Sequence, residues 1–149
     1  MEAVISQSKR KMWVIINYAS LVLLIVMFYW TDRSDFAPPV AIIGLVALAL
    51  LVISFVVAYA RTGLWRFVHT NVKKLDERQM LVSYESLRHS YGLFAVTCLL
   101  VFLLSELIVH EFGGGFKLAL MPIITALIYL AHVLPASIIA WTEREIYRE

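Results

Sequence analysis

The sequence predicts an all-α integral membrane protein, a four-transmembrane-helix antiparallel bundle forming one domain over residues 1–149. Three observations lead there. The chain is 61% hydrophobic and 16% charged, against about 45–50% and about 25% for a soluble domain. Its apolar residues fall in four runs, each near the ~20 residues a helix needs to cross ~30 Å of hydrocarbon. The runs lack the two-residue alternation of membrane-spanning strands.

The first span, at about 13–30, reads "WVIINYASLVLLIVMFYW" and carries no charge. Lys9, Arg10 and Lys11 precede it as they would a secretory signal. The run is longer than a usual signal core, and its end, "FYWTDRS", lacks a small-residue cleavage site, so it reads as a retained anchor. The second span lies at about 38–60. Ser34 or Asp35 can cap it, and Pro38 or Pro39 suits a first turn where no amide donor is needed. The third span is placed at about 91–110 and the fourth at about 117–141. "HEFGGGFK" between them offers three glycines for a tight reversal.

Loop charge sets orientation. Lys9, Arg10, Lys11, Arg61, Arg66, Lys73, Lys74, Arg78, Arg88, Arg144 and Arg148 fall on one side, which is eleven of the thirteen basic residues. Only Arg33 and Lys117 fall on the other. That bias predicts both termini and the 61–90 connection in the cytoplasm. Aromatic side chains near the run ends, Trp13, Tyr29, Trp30, Tyr59, Trp65, Tyr91 and Trp141, form the expected interfacial belt. The single cysteine, Cys98, allows no internal disulfide, so cysteine usage does not report the redox compartment.

The connection between the second and third spans is the one sizeable polar segment, a cytoplasmic helical stretch at about 64–90. Gly63 can end the second helix in a left-handed conformation; the rival is a helix that simply continues inward. Leu64, Trp65, Val68 and Val72 recur near helical spacing. They fit a short helix in the inner interface, with Arg66, Lys73 and Lys74 toward anionic lipid headgroups. "KKLDERQM" follows. Asp76 and Gln79 match a capping box, Leu75 and Met80 its hydrophobic staple, and Glu77 suits the positive end of the helix dipole. Nothing then breaks the helix before Gly113 except a tolerated Gly92. One helix of about 33 residues, ~50 Å at ~1.5 Å per residue, is expected from Glu77. Its first three to four turns stand in the cytoplasm, with Met80, Tyr84, Leu87 and Tyr91 as an apolar seam.

The "KLDERQ" segment ahead of a hydrophobic helix resembles a class of small prokaryotic multi-span membrane proteins. Those carry an L-D-E-R-[QE] segment on the cytoplasmic side of a span and have no assigned activity. The resemblance covers Lys74 to Arg88. It implies a bacterial or archaeal membrane protein and no functional residue.

Candidate chemistry is sparse. Glu106 is the one acid inside an uncharged run, with His110 four residues on and Lys117 entering from the other side of the hairpin. An interfacial polar cluster is the ordinary reading; a proton or cation site is the sharper one. Glu111 would add a third donor, but only two of Glu106, His110 and Glu111 share a face, so no metal is expected. His132 lies deeper, three residues before Pro135. It fits either a hydrogen bond to Asn17, Ser20 or Thr97, or a place on a substrate path. Ser54–Ala58 and Ala136–Ala140 allow close helix contact within the bundle or in an oligomer. No nucleophile–base set, phosphate loop or nucleotide motif appears, so no catalytic residue and no cofactor is expected. Asp76, Glu77 and Glu85 balance the basic cluster, which argues against nucleic acid. The expected function is a small non-enzymatic membrane protein working through lipid, a membrane-protein partner or a homo-oligomer. Asp76, Glu77, Arg78, Tyr84 and Leu87 are its expected docking residues. The alternative is an oligomeric small transporter or channel using Glu106 or His132.

Overall fold

Helix α1 covers Gln7–Arg33 and α2 covers Pro38–Phe55, which continues into a π-helical turn, Val56–Ala60. Helix α3 is short, Leu64–His69; α4 is Glu77–Phe112 and α5 is Leu120–Thr142. The computed structural model describes residues 6–33, 38–71, 75–112 and 120–143. Four helices, counting α2 with its π turn, are long and apolar enough to cross a membrane. The expected cap at Ser34 or Asp35 and the glycine reversal at 113–115 lie outside the described residues, as do Val72 and Lys117.

Local chemistry explains the described boundaries. Pro38 opens α2, where its missing N–H costs nothing. The Arg61 amide reaches back five residues to the Val56 carbonyl at 2.9 Å, closing the π turn. Gly63 then adopts φ +76°, which a side chain would resist. Its carbonyl accepts from the Phe67 amide at 2.9 Å and starts α3. The break at Gly63 is therefore real. Asp76 Oδ1 accepts from the Gln79 amide at 2.7 Å, and Gln79 Oε1 accepts from the Asp76 amide at 3.2 Å. That is the reciprocal capping box, and α4 runs unbroken for 36 residues from it.

The helices pack as an open row rather than a closed four-sided bundle. α2 lies on α1, α1 on α5 and α5 on α4, while α3 covers the π turn and α5. Neighbours in the row are antiparallel. The start of α1 meets the end of α5 through Gln7 and Arg10, and the start of α4 meets the same place through Arg78. All three ends, with α3, therefore gather at one end of the molecule.

The core is there too. Val14, Ala58, Tyr59, Leu64, Ala136 and Ile139 are buried together, with Val82 packed against them. Both small-residue pairs, Ser54–Ala58 and Ala136–Ala140, are spent on these contacts. In the other half, over 21–50, 91–112 and 120–132, Ala47 is the sole buried side chain among the described residues. Lipid tails are as apolar as leucine, so helices crossing them gain little by closing on one another. That accounts for the open row.

The first turns of α4, expected to protrude into the cytoplasm, lie against the other helices. Val82 packs on the core, and Ser83, Ser86 and Ser90 are buried along the same face. The polarity of 73–90 suggested a projection, but three serines on one face make a surface small enough for α5 to approach. The expected short helix forms as α3, and its apolar side meets the protein. Leu64 is fully buried, and Trp65, Phe67 and Val68 pack against the core. Its apolar side turns to the protein because the left-handed turn at Gly63 folds it back.

Candidate functional site

Four side chains fasten the shared end of the molecule. Gln7 Nε2 donates to the Trp141 carbonyl at 3.0 Å, and an Arg10 guanidinium nitrogen donates to the Glu143 carbonyl at 2.7 Å. Lys11 Nζ stands 4.9 Å from the centre of the Trp141 ring. The last carbonyls of a helix lack internal donors and carry the negative end of its dipole. Arg10 answers both needs for α5 and is itself only 2% exposed. Arg78 reaches the Glu143 carboxylate at 3.8 Å. Arg78 is exposed and Glu143 half-buried, and at this length the pair orients α4 more than it stabilises it. The cap beneath it matters more: Asp76→Ala is expected to lower stability by about 1 kcal/mol. Hydrogen exchange should show fraying of the first turn of α4 alone, and unchanged exchange there would contradict the cap.

Deeper in the core lies a hydroxyl and amide network. Asn17 Nδ2 donates to Ser54 Oγ at 3.0 Å and to the Leu51 carbonyl at 3.2 Å. Tyr129 donates to Asn17 Oδ1 at 2.9 Å. Beside it, Ser137 Oγ lies 2.6 Å from the Tyr18 hydroxyl and 2.9 Å from that of Tyr59. Ser137 donates to the Val133 carbonyl at 3.0 Å, so both phenols serve as donors to it. The network ties α1, α2, the π turn and α5 together. Its chemistry is mutual satisfaction: each buried polar atom in it has a partner, which removes the penalty of burial and fixes the pairing of helices. The π turn brings Ala58 and Tyr59, adjacent in sequence, both inward. Sequence reading passed over Tyr18, Tyr129 and Ser137, and set Tyr59 in the interfacial belt, whereas it is fully buried. The available signal was hydroxyls recurring inside apolar runs, which does not say which of them face each other.

The predicted residues scatter. Asp76 and Glu77 form the start of α4, and Arg78 has its partner in Glu143. Tyr84 and Leu87 are exposed, as is Tyr91 at 78%. Arg66 is exposed on α3, while Lys73 and Lys74 lie outside the described residues. Glu106 and His110 are both exposed near the far end of α4. Among the described residues no hydrogen bond or ion pair joins them, and the rest of the expected cluster, Lys117, is not described. His132 is corrected: its ring is exposed, and Nδ1 lies 2.8 Å from the Ile128 carbonyl of its own helix. Its expected partners are engaged elsewhere. Ser20 and Thr97 donate within their own helices, to Ile16 and Leu93, and Tyr129 and Ser54 occupy Asn17. A helix-bound imidazole three residues before Pro135 points to the outside of α5, not into the bundle.

No protein-family profile, curated protein or solved structure matches this chain.

Proposed function

We propose that this is a non-enzymatic integral membrane protein that acts through partners, with the first turns of α4 as its docking element. The carrying observation is how α4 is presented. It is capped by Asp76 and Gln79 and fastened by Arg78, and its serine face is buried. Yet Tyr84 and Leu87 are exposed, and the most apolar stretch of α4 buries no residue. A helix held rigidly on one side and open on the other loses little conformational freedom on binding. The bias of basic residues supports both termini on the cytoplasmic side, and the resemblance over Lys74–Arg88 supports a prokaryotic cytoplasmic membrane. Arg66, with Lys73 and Lys74, then meets anionic headgroups.

Native purification in mild detergent tests this. A partner should co-purify with the intact protein and be lost in Tyr84→Ala/Leu87→Ala, whose exposed side chains leave the fold unchanged. The competing reading is an oligomeric transporter or channel. Transport in proteoliposomes that collapses in Glu106→Gln or His132→Ala would establish it and reject the docking function.

A further inference from the structure

We infer that the outer face of α4 is the interface of a homodimer, with Glu85 and Arg88 of one copy pairing with Arg88 and Glu85 of the other. This rests on the reading of α4 as a docking helix and names its occupant as a second copy of this chain.

The first observation is depth. Arg78 meets Glu143, and Val82 packs against the core cluster to which α5 contributes Val133, Ala136, Ile139 and Ala140, so the start of α4 lies level with the end of α5. Arg88 is ten residues further along, ~15 Å at ~1.5 Å per residue. Glu85 and Arg88 therefore lie beside the turns of α5 around Val133–Ala136, inside a run, Leu120–Thr142, that holds no acid, lysine or arginine. Across the molecule at this end, Ile15, Val52 and Ile53 are exposed, as suits a lipid-facing surface.

The second observation is direction. Ser83, Ser86 and Ser90 mark the face of α4 that meets α5. Leu81, Glu85, Arg88, Gly92, Ala95 and Leu99 recur at alternating steps of four and three on the opposite face, and all are exposed. Ionisable residues at membrane depth almost always face a protein interior or a wet cavity, where they find partners. Here an acid and a base face outward, and among the described residues neither side chain has an ion pair or hydrogen bond.

A second copy meets each requirement. Steps of four and three keep one stripe facing a parallel partner. Gly92 and Ala95 let two backbones come close, and a Cβ added at Gly92 would meet nothing within 4 Å inside this chain. A two-fold axis sets each patch against itself. An acid and a base one layer apart then pair reciprocally, neutralising all four charges at once. Glu106 continues the stripe, about six turns from Glu85 and near the far end of α4, where water is close.

The full-length chain carrying Cys98→Ser should be placed in vesicles of phosphatidylethanolamine and phosphatidylglycerol. Oxidation should then cross-link Ala95→Cys to a dimer at least tenfold more than Leu100→Cys, an exposed position on the flank. Energy transfer between labelled copies should show Glu85→Lys weakening association at least tenfold and Glu85→Lys/Arg88→Glu restoring it. Equal cross-linking at the two positions, none at either, or a double variant that stays dissociated would overturn the proposal. A monomeric chain that still loses a different co-purifying protein in Tyr84→Ala/Leu87→Ala would overturn the homodimer and leave the docking function standing. If no protein is lost either, both fall.

Discussion

Replacing Tyr59 by alanine is expected to destabilise the protein by about 3–5 kcal/mol, the range for truncating a large buried aromatic side chain. Tyr59 is fully buried and is the largest side chain so placed. Its ring packs against Phe55 at 5.6 Å, and Phe55 in turn meets Trp65 at 5.2 Å, so one cavity would loosen α2, α3 and α5 together. The hydroxyl contributes less. Ser137 keeps Tyr18 as a donor at 2.6 Å, and interhelical hydrogen bonds in membrane proteins average about 0.6 kcal/mol. Tyr59→Phe should therefore cost below about 1 kcal/mol. Unfolding by dodecyl sulfate in mixed micelles, followed by circular dichroism, separates the two variants. Equal losses would mean that the hydrogen bond, not ring packing, dominates.

Val82→Pro should cost about 3 kcal/mol or more. Proline at this position removes the amide that bonds back to Arg78 and crowds that carbonyl, only three residues past the end of the capping box at Gln79. It also strips a side chain from the core cluster. The expected result is a loss of helicity confined to the first turns of α4, together with a lower dodecyl sulfate midpoint. Val82→Ala keeps the backbone and should cost about 1–2 kcal/mol, from the lost apolar burial alone. Indifference to the proline would refute a helix continuous from Glu77.

How much of this was legible can be judged from particular residues. Asp76, Gln79 and Gly63 were readable because caps and left-handed turns depend on neighbours three or four residues away. The same locality explains the start of α2 at Pro38. The π turn was not readable, since Val56–Ala60 is an ordinary apolar stretch whose extra residue is imposed by packing. His132 was misplaced because depth follows from counting along a helix, whereas direction depends on which neighbour covers which face. Arg78 found its partner 65 positions away, in Glu143, beyond any local pattern. Of the candidate docking residues, Tyr84 and Leu87 remain open; Asp76 and Arg78 serve the base of the helix instead.

The sequence by itself determined that four helices are long and apolar enough to cross a membrane, where three of their ends lie, and that a long helix starts at Glu77. Hydrocarbon length and unsatisfied backbone groups are local constraints, and residue order states them directly. Only the tertiary structure decided that the core gathers at one end, that serines seat α4 on α5, and that Glu85 and Arg88 face outward. In lipid, apolarity no longer tells inside from outside, so which face of a span is covered is settled by small residues and polar contacts between helices.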